Sequence, residues 1–335
     1  MKILIVGCGM VGSAIAYELS KAGMAVTVAE QGIAGQKGAS GASLGVLMAV
    51  CSAKAKGDLV KWRLASLQRF ESLIPELEQA LNVSIPYNRA GIICLYESAS
   101  VKQKYLDLID IRQQQGFQLE WWDSYDNCQC QGALYSPCDR WVHPQKLGEA
   151  LTAAAEQQGV KFYYQTPINN LENYRQEFDF IVVSAGMGSN NLIAQTLLQP
   201  VRGLALELYL PELNLTHIIH TENLAGEDIN IVPLGGDRYW LGATVEFNLD
   251  QFSPHQSIEW LLQEAVKFCP LFANAQIIKT WYGDRPRPKS MPAPIIKFLD
   301  SSQKIILATG HYRNGILMAP ITAQLVQELI LTSSR

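Results

Sequence analysis

Charge is scarce in this chain. Asp, Glu, Lys and Arg make up 17 % of its 335 residues, where about a quarter is usual. That excludes a disordered or strongly charged polypeptide. The formal net charge is −4 and no run of lysine and arginine is present, so the chain lacks the electrostatic footprint of a nucleic-acid binder. Five histidines are too few and too scattered to suggest a multi-histidine metal centre. Seven cysteines, an odd number, argue for reduced cytoplasmic thiols over a disulfide framework. Cys128, Cys130 and Cys138 cluster, but without the paired C-x-x-C spacing of a metal knuckle they read as loop thiols. Long apolar runs are missing too. The longest uncharged stretch, 180–201, is broken by Gly186, Gly188, Ser189, Asn190 and Asn191, so no membrane span is expected. Met1-Lys2 lead directly into the strand-like Ile3-Leu4-Ile5-Val6, so no signal peptide is expected.

What is abundant is apolar surface: 48 % of the residues are hydrophobic, enough for two closely packed domains. The first thirty residues read as strand, turn, helix and strand. Gly7-x-Gly9-x-x-Gly12 closes an apolar β-run and opens a helix from about Met10 to Lys21. Gly23 caps it, and Ala25 to Ala29 form a second strand ending at Glu30. Gly7 allows the tight turn, Gly9 lets backbone approach a pyrophosphate, and Gly12 lets helix and sheet pack closely. Met10 and Val11 place their N–H groups at the helix N-terminus, where an anion is favoured. Glu30 can accept from both ribose hydroxyls and repels a 2′-phosphate, while Gln31 offers no cation for one. FAD or NAD is therefore expected, not NADP.

After Gln31 the chain runs into a Gly/Ala/Ser loop, Ser40-Gly41-Ala42-Ser43-Leu44-Gly45, and then Val46-Leu47. Small side chains and free backbone donors suit a flavin; a flexible linker would look the same. Further on, "VHPQKLGEALTAAAEQQG" reads as a helix with Pro144 in its first turn and Gly159 as its cap. "FIVVSAG" reads as a buried parallel strand ending in Ala185-Gly186. Near the end, Arg313 in "GHYRNGILMAP" heads into an apolar run, in which Ile321, Leu325, Val326, Leu329 and Ile330 form a helical stripe.

Six landmarks in this order resemble the D-amino-acid oxidase-like FAD enzymes, most of all their glycine oxidase group. They are the glycine turn with Glu30; "GASGASLGVL"; "WVHPQKLGEAL"; "DFIVVSAGMGSN"; "PVRG" with "YWLGATVE"; and "WYGDRPRP" with "GHYRNGILMAP". The resemblance implies an α/β chain. It would have an FAD-binding Rossmann-like domain of the glutathione reductase type, built from 1–82, 140–200 and 280–335. A mixed-sheet α+β substrate domain would come from 83–139 and 201–279. It implies that backbone around Val142, Ala185, Gly186 and from His311 through Tyr312, Arg313, Asn314, Gly315 and Ile316 to Leu317 borders the flavin. Arg285 would bind the substrate α-carboxylate. Arg313 would stand near substrate and flavin, its partner a bound carboxylate and not an acid of the protein. A planar, permanently charged guanidinium suits that task. His311 offers an imidazole, although the resemblance requires no general base.

The implied reaction is oxidative deamination of glycine, sarcosine or a small D-amino acid. The Cα hydride goes to flavin N5, and the products are a 2-oxo acid, ammonia or amine, and hydrogen peroxide formed with molecular oxygen. A dehydrogenase passing electrons to a quinone or carrier, and a flavin-binding protein without turnover, are the alternatives. The group's setting is cytoplasmic and tied to thiamine biosynthesis, and a homo-oligomer is left open. Three positions depart from its pattern. Asn230 in "NIVP" replaces the usual tyrosine, Val245 replaces the methionine after "GAT", and Lys289-Ser290 stand where an acid follows the arginine–proline pair. Asn230 and Val245 are thus expected to change the pocket ceiling.

Overall fold

The structure, a computed structural model, describes residues 1–35, 38–125, 128–193 and 196–333. Two large sheets organise it. The first has six strands in the order Ile295–Phe298, Ile305–Thr309, Phe180–Val183, Lys2–Val6, Ala25–Ala29 and Lys161–Tyr163. All neighbours are parallel except the first pair. A parallel sheet must be covered on both faces, which is why its strands are continuous apolar runs. Side chains alternate. Ile3 and Ile5 join the main helical core, while Leu4 and Val6 face Ile168, Leu171 and Leu198.

The helix Met10–Lys21 packs against Pro144–Gln157 and against the last helix, Gly315–Ser333, which also lies on the long helix Asp58–Leu81. With the turn before it, that last helix is long and apolar enough to cross a bilayer. Here it is a core helix between two others. Its buried line is Ile316, Ala319, Ala323, Val326 and Ile330. Of the expected stripe, Ile321, Leu325 and Leu329 are only half-buried, because two partner helices, not one, set the buried face.

The second sheet is mixed and has eight strands. Their order is Gln276–Pro288, Leu198–Tyr209, Arg238–Gly242, Asp228–Gly235, Ile218–Glu222, Ile92–Tyr96, Ala133–Ser136 and Glu120–Trp122. Ile218–Glu222 and Ile92–Tyr96 are parallel and the other pairs antiparallel. One face, with Leu206, Ile219, Ile231 and Leu241, packs on Leu261, Ala265 and Phe268 of the helix Pro254–Phe268. The opposite face carries His220 and Asn230 to the cavity shared with the first sheet. The strands Leu198–Tyr209 and Gln276–Pro288 run continuously through 200 and 280 and so tie the two halves together.

Candidate active site

A cavity of about 890 Å³ runs from the glycine turn to the face of the second sheet. At its nucleotide end the chain turns at Gly7, whose φ is +102° and where a Cβ would lie 2.7 Å from Cα of Ala185. A Cβ on Gly12 would lie 2.0 Å from the Gly7 carbonyl oxygen. Only glycine permits this approach of strand, turn and helix. Glu30 follows the strand Ala25–Ala29. Its Oε2 accepts the Cys8 N–H at 2.7 Å and its Oε1 the Gly32 N–H at 2.8 Å. Each oxygen keeps a further lone pair, so the carboxylate is fixed in place and can still accept from a ribose. The Met10 N–H donates to Ser40 Oγ at 3.0 Å, bringing the Gly/Ala/Ser segment onto the helix N-terminus. The residues present therefore fit FAD: a glycine cradle, an anchored acid, and a small-residue wall leading away from both.

Most of the expected cofactor residues border this cavity, including Gln31, Ala42, Ser43, Val46, Ala185, Gly186 and the stretch from His311 to Leu317. Four do not. Gly12 sits beneath Gly7, and Gly41 turns its carbonyl to Gln145. Leu47 is fully buried in the core. Val142 stands behind Gly45, its N–H donating to the Gly45 carbonyl at 3.1 Å. These four support the wall without forming it.

At the other end, Arg285 projects from the strand Gln276–Pro288. Its Nη1 donates to the carbonyls of Thr244 at 2.9 Å and Arg202 at 3.2 Å. Gly203 makes room for it: a Cβ there would lie 2.3 Å from Nη2. Among the described residues no carboxylate stands within ion-pair distance of Arg285. Burial, reinforced by Arg313, lowers its pKa to about 10. It is still protonated at neutral pH, a cation on the cavity wall on which Asp228 acts without forming an ion pair.

Arg313 behaves otherwise. Its two terminal nitrogens engage both oxygens of Asp228, Nη1 to Oδ2 at 2.9 Å. The expectation that its partner would be a bound carboxylate is thus corrected: in this structure the partner is an acid of the protein. Burial raises the Asp228 carboxyl, but the Arg313 donors and charge, with His220 and Arg285, outweigh it and hold the group below the usual carboxylate range. Asn230 lies two residues along the same strand. Its Oδ1 is 3.1 Å from His220 Nδ1, so that nitrogen carries the proton, and its Nδ2 lies 3.5 Å from the Gly242 carbonyl. Val245 is exposed and outside the cavity wall, so the expected change in the pocket ceiling reduces to Asn230. Arg287 lies over the rings of Phe247 and Tyr312.

Sequence reasoning passed over Asp228, His220 and Arg63, all of which line the cavity. Two signals were there. Asp228 alternates with Asn230 and so shares its face, and Arg63 lies four residues before Leu67 on the buried stripe of its helix.

His311 is 4 % exposed, with Nε2 2.9 Å from Thr322 Oγ1. Burial pushes its pKa down to about 4, so it is a neutral, weakly basic wall group and a poor general base. An unfolded histidine titrates near 6.5. Between about pH 6.5 and 4 the unfolded chain therefore binds a proton that the folded chain refuses. The stability this group contributes is complete above that window and falls by about 3 kcal/mol as pH drops through it. Denaturant unfolding between pH 7 and pH 4 is expected to show a shallower loss for His311→Gln than for wild type. Parallel curves would contradict the assignment.

A dinucleotide cradle joined through one cavity to a mixed sheet that presents a half-buried guanidinium without an ion-paired acid is the site of a dinucleotide-dependent enzyme. The chain belongs to the DAO family of FAD dependent oxidoreductases, whose family profile matches residues 2–329. It is 26 % identical to the glycine oxidase of Bacillus licheniformis over 98 % of this chain and 92 % of that protein. It is 31 % identical to the bifunctional protein ThiO/ThiG of a Synechocystis species, covering 98 % of this chain but only 51 % of that protein. The crystal structure of glycine oxidase from Geobacillus kaustophilus superposes with a TM-score of 0.86 at 26 % identity, over 98 % of this chain and 94 % of that one. The chain is accordingly an FAD-dependent oxidoreductase of the glycine oxidase type, with FAD as its cofactor and the two-sheet α/β architecture of that group.

Proposed function

We propose that this enzyme oxidatively deaminates a small amino acid or N-methylated amino acid, with glycine, sarcosine and small D-amino acids as the candidate substrates. The observation that carries this reading is Arg285: a half-buried guanidinium on the cavity wall that, among the described residues, has no acid in ion-pair contact. A desolvated charge of that kind is costly unless a ligand completes it, and a carboxylate matches its planar fork. Bound FAD supplies the acceptor for the hydride leaving the substrate Cα and, in the oxidase form of the reaction, returns the electrons to molecular oxygen. The protein's share is positioning. Arg285 holds the carboxylate, and the Thr244 and Arg202 carbonyls fix the guanidinium. The amide of Asn230 is steadied by His220 and lies toward the same space. The balance is amino acid plus oxygen plus water to 2-oxo acid, hydrogen peroxide and ammonia, or methylamine where the substrate nitrogen carries a methyl group.

The two-domain division with boundaries near 82, 139, 200 and 280 is part of this proposal, the first unit holding FAD and the second facing the substrate. A cytoplasmic setting is supported by seven cysteines that form no disulfide. A place in thiamine biosynthesis is supported by the match to the ThiO/ThiG proteins. The test is anaerobic titration of the FAD-loaded protein with glycine, sarcosine, D-alanine and L-alanine. At least one is expected to bleach the visible flavin band, and admitting air then restores it within the turnover time. Bleaching without rapid recovery assigns a dehydrogenase. No bleaching by any of the four removes the proposal.

A further inference from the structure

Asp228 and Asn230 stand on one face of the strand Asp228–Gly235, and Arg313 reaches Asp228 from the turn before the last helix, 85 residues away in sequence. Arg285 and Arg313 are close enough for each cation to act on Asp228 and for Arg313 to act on Arg285. Without the acid, two guanidinium forks would face one cavity, an arrangement that suits a ligand with two carboxylates. With it, both arms of Arg313 are filled, and the Asp228 side chain is largely buried at 19 % exposure. Arg63 also borders the space, but both its terminal nitrogens are taken, by the Met48 carbonyl and Ser52 Oγ, and Asp139 offsets its charge, whereas on Arg285 only Nη1 is engaged.

We propose that Asp228 is a specificity-determining residue: by filling the Arg313 fork it leaves Arg285 as the cavity guanidinium without an acid of its own, and so restricts the substrate to a single carboxylate. A second carboxylate on the ligand would meet one already in place, a repulsive element that discriminates as strongly as any new contact. This deepens the reading that Arg285 anchors a carboxylate and depends on it.

The experiment uses the FAD-loaded protein and two carboxylates that are not oxidised, acetate and malonate, followed by the change each causes in the flavin absorption spectrum. Wild type is expected to bind malonate at most a few-fold more tightly than acetate. In Asp228→Asn the preference for malonate is expected to rise by at least about tenfold, with acetate changing much less. The double variant Asp228→Asn, Arg313→Gln returns to the wild-type ratio. An unchanged ratio in Asp228→Asn, or a tenfold preference for malonate already in wild type, overturns the proposal. If Asp228→Asn does not retain FAD, Arg313→Gln decides. It frees the Asp228 charge beside Arg285 and should weaken acetate by about tenfold or more, and unchanged acetate affinity overturns the proposal. Acetate binding in Arg285→Ala separates the two readings. If it is undiminished, the carboxylate-anchor reading itself fails; if it is lost while the malonate ratio stays fixed in Asp228→Asn, only the role of Asp228 fails.

Discussion

Arg285→Ala is expected to lower kcat/KM for the small amino acid substrate by about 2–5 kcal/mol, roughly 30- to 5,000-fold, while the protein still binds FAD. The range is that for removing one partner of a desolvated, hydrogen-bonded charge pair. FAD is retained because the nucleotide cradle is made by Gly7, Gly9, Glu30 and Ala185, whereas the Arg285 guanidinium donates to carbonyls of the second sheet. Stability moves in an informative direction. Arg285 is a half-buried cation with no ion-paired acid among the described residues, so its removal is expected to leave the thermal midpoint unchanged or higher, not lower. Arg285→Lys keeps the charge but loses the planar fork, and its kcat/KM falls between the two. A variant with unaltered kinetics, or one that loses activity only in proportion to lost flavin, would take Arg285 out of the substrate site.

How far the sequence could be read depends on whether a feature is local. The glycine turn, the helix Met10–Lys21 and the strand Ala25–Ala29 lie where the sequence puts them, because turn chemistry and apolar periodicity act over a few residues. Arg285 was legible through the proline that follows it and the family pattern. The Asp228–Arg313 pair was not. Its members are joined only when the second sheet is laid against the turn before the last helix, and no periodicity in either segment encodes that meeting. The last helix shows the same limit in milder form. Its apolar positions announce a helix, but Thr322 and Ala323 are buried while Leu325 and Leu329 are half-exposed, since Met10–Lys21 and Asp58–Leu81 together choose the face. Val245 shows the converse, a departure from pattern that the fold places outside the cavity.

The largest stability effect is expected at a residue with no part in the sequence motifs. Asp139 is fully buried, and its carboxylate accepts three backbone N–H groups: Ala49 at 2.6 Å, Val50 at 2.9 Å and Cys51 at 2.9 Å. The opposite charge serves the carbonyls of the same segment. Arg112, also fully buried, donates to the carbonyls of Val50 at 3.0 Å, Ser52 at 3.1 Å and Lys54 at 2.9 Å, and Arg63 holds the Met48 carbonyl and Ser52 Oγ. An irregular buried segment leaves its backbone groups without ladder partners, and here an anion satisfies the donors and cations the acceptors. Asp139→Ala orphans three donors and leaves the fields of Arg112 and Arg63 without the acid that offsets them. The expected cost is about 3–5 kcal/mol, a large part of a folding free energy of about 5–15 kcal/mol. Denaturant unfolding at a fixed excess of FAD would measure it, since ligand binding itself shifts the midpoint. Asp139→Asn keeps one acceptor oxygen and should fall between alanine and wild type, and a loss below about 1 kcal/mol for alanine would show that the segment is held by packing alone. Because Val46 and Met48 form part of the cavity wall at the near end of this segment, the same substitution should weaken FAD binding. Flavin content and stability would then fall together, whereas in Arg285→Ala neither falls.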